Sequence, residues 1–376
     1  MIINNLKLRN FRNYSYLDIE LSKKLNIFIG NNAQGKSNLL ESIVVLALTK
    51  SYLNVKDENL IKDGENVSIL EANVNSLNTN KKLFVSFSNS VKKLKINDVE
   101  IKKYIDYVSN IKFVLFSPMD ITLIKDSPAV RRKYFNIEIS QISNNYIKLL
   151  QKYNVLLKKR NQFLKSINDI SFDNDYFINI LDDNFSTLAL DITFERKKFI
   201  DDINNYIGKI YYELTGDNGL MLVYNNSIPF DEDKELMKNN FIDKLKDNYM
   251  RDKLYGMTLN GPHRDDYSIY LDGKDLSLYG SQGQNRSAIL ALKLSLLDIF
   301  KDITNDYPIL LLDDIFSELD LDKRNRLIKY IMNDIQTIIT TTDLDMIDES
   351  LVNNAKVFIV DNGNVNVLEK EGNKHE

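Results

Sequence analysis

Cysteine and tryptophan are absent from the 376 residues, and histidine occurs only as His263 and His375. A disulfide framework is thereby excluded, and a Cys/His metal site has no ligand set to draw on. No run of 18 apolar residues occurs. Residues Met1 to Arg9 alternate like a strand, where a secretory signal would need a basic start and a continuous apolar segment. The expected address is therefore cytoplasmic, with no membrane partner. Charge of one sign is lacking as well: 49 Lys and Arg against 53 Asp and Glu leave a net charge of −4. Any nucleic-acid contact would have to come from a local patch. A length of 376 residues allows one large or two to three ordinary domains, and a hydrophobic content of 43% is enough to build their cores.

Helix breakers are scarce where they matter. The five prolines lie at 118, 128, 229, 262 and 308, and no glycine falls between Glu65 and Ile207. Within this stretch Ile142, Tyr146, Leu149, Tyr153, Leu156, Arg160, Phe163 and Ile167 are spaced alternately four and three apart, a coiled-coil-like seam with one polar interruption. Asp169 to Asp175 reads as a turn. Ile178, Leu181, Phe185, Leu188 and Ile192 then resume the rhythm, and Phe199, Ile203, Ile207, Ile210 and Leu214 continue it after a small phase shift. The simplest arrangement is two antiparallel helices. A helix of about 25 residues extends roughly 37 Å, so this segment is expected to project as an arm. The flanks read as strands and helices, as halves of one α/β domain that the arm interrupts. The expected division is 1–115, 116–250 and 251–376.

What is present is a phosphate cradle. Gly30-Asn31-Asn32-Ala33-Gln34-Gly35-Lys36-Ser37 matches G-x-x-x-x-G-K-[ST]. It follows Leu25 to Ile29, which read as a short buried strand, and precedes Asn38 to Leu46, which read as a helix. Small residues let backbone N–H groups curl around phosphates. Lys36 can reach the β- and γ-phosphates of ATP, and the Ser37 hydroxyl can ligate Mg²⁺ at the helix start. The second half of such a site needs a carboxylate at the end of a buried parallel strand. Ile309 to Leu312 form an apolar run that ends in Asp313-Asp314. Asp313 is expected on the Mg²⁺ side, directly or through water, and Asp314 is expected to orient or deprotonate the attacking water.

Tyr279-Gly280-Ser281-Gln282-Gly283-Gln284 stands before a helix that reads from Asn285 to Phe300, and Ser317-Glu318-Leu319-Asp320 follows the two aspartates. Taken alone, Ser281 is an N-cap. In this order the segments resemble the signature and D-loop elements of ABC-type ATPases. The resemblance implies that Ser281, Gly283 and Gln284 act on the nucleotide held by a second subunit, in an ATP-sandwiched homodimer. Leu8-Arg9-Asn10-Phe11-Arg12-Asn13-Tyr14 with Asn38-Leu39-Leu40-Glu41 looks like the SMC-type branch. Phe116 to Asp120, Ser127 to Arg132 and Asn260 to Asp266 narrow the likeness to the RecF family of recombination-mediator ATPases. The fold so implied is an ABC/SMC-type P-loop ATPase head, α/β, assembled from N- and C-terminal lobes around an inserted, mainly helical arm. The implied function is ATP-dependent binding of duplex DNA and of single-strand/double-strand gap junctions in repair and replication. Slow, DNA-stimulated ATP hydrolysis would act as a switch, with RecR as partner and RecO and RecA downstream. Asp314 stands where most ABC ATPases carry glutamate, and Thr341-Thr342-Asp343 where many carry a switch histidine, which fits slow turnover.

The candidate DNA-facing cations are Arg131, Arg132, Lys133, Lys158, Lys159, Arg160, Arg196, Lys197 and Lys198 on the arm, and Lys92, Lys93 and Lys95 on the head. His263, beside Pro262 and Arg264, reads as a structural hydrogen-bonding residue. Two alternatives share the same sandwich chemistry: the ATPase subunit of a membrane transporter, and another SMC-like ATPase.

Overall fold

The computed structural model describes residues 1–53, 55–77, 79–88, 91–166, 172–332 and 334–368. The first strands, β1 (Ile2–Phe11), β2 (Tyr14–Glu20), β4 (Val67–Ser76), β5 (Thr79–Ser88), β6 (Val91–Ile96) and β7 (Val99–Glu100), form an antiparallel sheet in the order β2-β1-β4-β5-β6-β7. A second sheet has the order β15-β14-β3-β13-β12-β8. It joins β3 (Leu25–Ile29) and β8 (Phe113–Phe116) to β12 (Ile309–Asp313), β13 (Thr337–Thr341), β14 (Lys356–Asp361) and β15 (Asn364–Val367). In it β3 lies between β13 and β14, and β8 runs parallel to β12. The two flanks are thus interleaved strand by strand, which makes them one α/β head.

Every residue of β12 and of β13 is buried, as expected of parallel strands covered on both faces. The helix Lys36–Leu48 packs against strands of both sheets, β12 and β13 on one side and β4 and β5 on the other. It is buried on nearly all sides, which is why Leu39 to Leu48 show little amphipathic pattern.

The chain divides into two compact units, Met1–Asp120 with Lys293–Glu376, and Ile121–Leu292. The sequence reading divides it at 115/116 and 250/251. Compactness moves the second boundary because β10 (Asp266–Leu271) pairs with β9 (Leu220–Asn225) and β11 (Lys274–Asp275) in a three-stranded sheet of the helical unit. The helix Gln282–Thr304 then crosses from one unit into the other.

Two long helices, Asn144–Ser166 and Phe172–Thr215, dominate the second unit. Ring contacts fix their antiparallel alignment: Phe163 meets Phe177 at 5.0 Å and Tyr153 stacks on Phe185 at 4.8 Å. Arg196 Nε donates to the Tyr146 hydroxyl at 2.9 Å further along. The expected seam is buried at Tyr146, Leu149, Tyr153 and Arg160. Ile142 belongs instead to the preceding helix Pro128–Ile142. Ile167 and the first part of the expected turn lie outside the described residues, but Phe172 to Asp175 are already helical. With no proline or glycine before Gly208, the second helix runs unbroken for 44 residues. It stops where Gly216 takes a left-handed φ of 80°.

Candidate active site

The phosphate loop leaves β3 at Ile29 and enters the helix at Lys36. Its glycines are sterically required. A Cβ on Gly30 would stand 2.3 Å from the Val360 carbonyl oxygen, and one on Gly35, at φ 112°, would stand 2.3 Å from Asn13 Nδ2. Lys36 Nζ donates to the carbonyls of Gly30 at 2.7 Å and Asn31 at 2.8 Å, so the ammonium lies folded over its own loop. Burial pushes its pKa below the ordinary lysine value, with the charges of Asp314 and Asp313 opposing.

Across the crevice, Ser37 Oγ donates to Asp313 Oδ1 at 2.8 Å, and Thr340 Oγ1 donates to the same oxygen at 2.7 Å. Asp314 follows in a left-handed conformation, φ 51°, with its N–H on the Thr340 carbonyl at 3.1 Å. Burial raises its pKa, Lys36 counters, and the neighbouring charge of Asp313 adds to the rise. A carboxylate shifted upward beside a fixed ammonium suits proton acceptance from water. The residues expected at the chemical centre, Lys36, Ser37, Asp313 and Asp314, are therefore gathered in one place. Among the described residues no group of three or more His, Asp or Glu forms a metal cage. A magnesium ion that keeps its waters and leans on substrate phosphate needs only the hydroxyl and carboxylate found here.

Ser281, Gly283 and Gln284 lie in the other compact unit, at the start of the helix Gln282–Thr304. Gln284 N–H donates to Ser281 Oγ at 3.2 Å, and Ser281 N–H donates to Gln284 Oε1 at 3.0 Å. This is a reciprocal capping box. The local N-cap reading of Ser281 is thus correct as far as the single chain goes.

Several pairings escape sequence reasoning, although Arg12, Glu41 and Asp120 stand within motifs that carry the family likeness. Thr340 has no motif of its own, and only the parallel pairing of β12 with β13 brings it to Asp313. Glu41, fully buried, receives Arg12 Nε at 2.8 Å and Arg12 Nη2 at 2.7 Å. Lys293, buried on the helix that Ser281 caps, donates to Asp120 Oδ1 at 2.8 Å. Spacing between Arg12 and Glu41 or between Asp120 and Lys293 carries no signal, since the fold alone joins them.

The structure corrects two of the candidate DNA contacts. Arg160 is fully buried, with Nε on Asp182 at 2.7 Å and Nη1 on Asp252 at 2.6 Å. Arg196 is buried against Asp265 at 3.2 Å and the Pro262 carbonyl at 2.7 Å. Arg131 forms a bidentate pair with Asp266 at 2.7 and 2.8 Å, and Arg132 donates to the Asp265 carbonyl at 2.7 Å. Two of the motifs quoted for the family likeness, Ser127 to Arg132 and Asn260 to Asp266, are thus halves of one ionic joint. Lys158, Lys159, Lys198 and Lys93 are exposed.

Fold and site together define a P-loop ATPase head of the ABC/SMC type with a helical insertion. The family model for the RecF/RecN/SMC N-terminal domain matches residues 2–366. The DNA replication and repair protein RecF of Clostridium botulinum (strain Eklund 17B / Type B) is 40% identical over 367 residues, covering 97% of this chain and 99% of that protein. RecF of Ligilactobacillus salivarius is 35% identical over 97% of each chain. A solved structure of the recombination mediator protein RecF with ATP, described as part of the RecFOR pathway, superposes with a TM-score of 0.90 at 32% identity, covering 98% of both chains. The Smc head domain of Pyrococcus furiosus shares the fold at a TM-score of 0.54 and 16% identity. The chain belongs to the RecF/RecN/SMC N-terminal family and, within it, to the RecF proteins.

Proposed function

We propose that this chain is an ATP-controlled DNA-binding protein of recombinational repair and replication. In this reading it holds ATP and Mg²⁺ at Gly30 to Ser37 and Asp313, and hydrolyses ATP slowly with Asp314 as the group facing the attacking water. The observation that carries the reading is the hydrogen bond from Ser37 to Asp313, which brings the phosphate loop and the carboxylate strand to one crevice. The solved relative that contains ATP supports the choice of nucleotide. The family assignment sets the transporter alternative aside.

The active form is a dimer in which Ser281, Gly283 and Gln284 of one subunit close on the ATP of the other. Gly283 supports this. Its backbone is helical, and a Cβ there would meet nothing within 4 Å. Nothing inside the chain therefore requires glycine at this position, and close approach by a second subunit is the use the dimer gives it. Leu278 and Tyr279, 74% and 72% exposed beside the signature, offer apolar surface for the same contact. The dimer binds duplex DNA and gap junctions through exposed lysines, and acts with RecR and RecO to place RecA.

The test is duplex-DNA binding by fluorescence anisotropy with ATP, ADP or no nucleotide, using wild type, Lys36→Ala and Ser281→Arg. Tight binding with ATP alone, lost in both variants, is the expected result. Normal ATP binding with negligible DNA affinity at low salt would overturn the DNA assignment.

A further inference from the structure

A loop that turns successive N–H groups inward onto phosphate must turn its carbonyl groups outward, and each of those needs a donor. Lys36 serves the carbonyls of Gly30 and Asn31, whereas those of Gln34 and Gly35 take their donors from two segments far apart in sequence. Asn13, in the turn between β1 and β2, donates Nδ2 to the Gln34 carbonyl at 2.8 Å. Gly363, in the turn between β14 and β15, donates its N–H to the same carbonyl at 3.1 Å. The adjacent Asn362 N–H holds Gln34 Oε1 at 2.6 Å. Tyr14, fully buried, donates its hydroxyl to the Gly35 carbonyl at 2.9 Å.

The two turns also touch each other through Asn13. Its Oδ1 accepts from Asn38 Nδ2 at 2.9 Å, one turn into the helix that follows the loop, and its carbonyl accepts from Lys62 Nζ at 3.0 Å. A Cβ on Gly363, whose φ is 77°, would stand 2.7 Å from that carbonyl oxygen. The two turns are therefore packed with no room for a side chain between them.

We propose that the β1–β2 and β14–β15 turns form a brace that fixes the phosphate loop in its anion-binding shape before nucleotide arrives, with Asn13 as the principal positioning residue and Tyr14 as the second. This rests on the reading of Gly30 to Ser37 as an ATP site. It also gives the Phe11 to Tyr14 segment a physical role as the inner half of the brace. Prior ordering lowers the cost of binding without touching the reaction, so its loss should appear in affinity and leave turnover alone.

The experiment compares wild type, Asn13→Ala and Tyr14→Phe by ATP titration, by single-turnover hydrolysis at saturating ATP, and by hydrogen exchange of the Gly30–Ser37 amides without nucleotide. For Asn13→Ala, ATP affinity should fall about tenfold with the hydrolysis rate within about threefold of wild type. The loop amides should exchange faster while the β12 and β13 amides keep their protection. Tyr14→Phe should move the same way to a smaller extent, and it decides the matter if Asn13→Ala does not fold. The brace is overturned if a folded variant binds ATP within about twofold of wild type, or if affinity falls with no change in loop exchange. Absence of ATP binding by wild type would defeat the ATP reading alone, since loop exchange in the unliganded protein still tests the brace.

Discussion

Ser37 and Asp313, 276 positions apart, share a hydrogen bond of 2.8 Å. Thr340 binds the same carboxylate oxygen from the next strand, so Asp313 is held by hydroxyls on two sides and has little freedom to turn away. Asp313→Asn preserves the shape of the side chain and removes its charge. We expect ATP affinity in the presence of EDTA to stay within about threefold of wild type, and the gain on adding Mg²⁺ to shrink by about tenfold or more. Paired titrations with and without the metal check this. An undiminished Mg²⁺ response would remove Asp313 from the metal side.

Asp314 stands beside Asp313 yet is expected to behave differently. Its backbone is left-handed and burial shifts its carboxyl upward; under the proposed function it faces the attacking water while Asp313 serves the metal. Asp314→Asn should bind ATP within about threefold of wild type and slow phosphate release by about a hundredfold, the lower range for losing a general base. Equal losses of binding and hydrolysis would contradict the separation of roles.

How much of this was legible beforehand depends on whether the signal is local. The phosphate loop, the strand Ile309–Asp313 and the long helices each announce themselves within a few residues, through glycine placement, a buried apolar run, or the absence of helix breakers. The helical seam even marked Arg160 as its polar interruption. Sequence periodicity could not show that Asp182 and Asp252 would neutralise it, because those partners lie 22 and 92 positions away. The same limit hid Thr340 and Gly363, and left Asn13 visible only as part of a family motif, without its contact to the phosphate loop. Their roles come from strand neighbours and from turns that close on one loop, and side-chain type alone does not encode such neighbours. Charge runs misled most: Arg196 sits among lysines in sequence but faces the interior, since one helix face differs wholly from the next.

His263 gives a pH prediction. The Thr258 carbonyl can only accept, so Nε2 carries the hydrogen and donates to it at 2.9 Å; in the neutral ring Nδ1 then accepts from the Tyr153 hydroxyl at 2.7 Å. Burial pushes its pKa down to about 4, the Thr258 carbonyl opposing and Arg264 adding to the fall. Because the folded value lies below the unfolded one, the unfolded chain binds the extra proton between about pH 6.5 and pH 4. The contribution of the neutral ring is full above that window and is lost as pH falls through it, up to about 3 kcal/mol. Denaturant melts of wild type and His263→Asn from pH 8 to pH 4 should show the difference between them narrowing toward acid. A constant difference would mean that His263 does not titrate on unfolding.

The Arg160 cluster separates stability from DNA binding. The guanidinium also donates to Thr258 Oγ1 at 3.0 Å, and Asp252 Oδ1 accepts the Leu259 N–H at 3.0 Å, so the cluster ties three helices, Asn144–Ser166, Phe172–Thr215 and Tyr249–Tyr255, to the segment that leads into His263. Removing the cation leaves two buried carboxylates, Asp182 and Asp252, without their counter-charge. Breaking such a buried pair costs about 3–5 kcal/mol, whereas replacing all its members with well-packed apolar residues is often neutral. Arg160→Ala should therefore lower stability in urea by about that amount, and Asp182→Leu with Asp252→Leu in an Arg160→Met background should recover part of it. Under conditions where the single variant stays folded, its DNA affinity and salt dependence should match wild type, because a side chain with no exposed surface releases no counterions from DNA. Lys158→Ala with Lys159→Ala should do the opposite, leaving the urea midpoint in place and reducing the salt slope by about 1–2 if both lysines meet phosphate. Reversal of the two phenotypes would return Arg160 to the DNA surface.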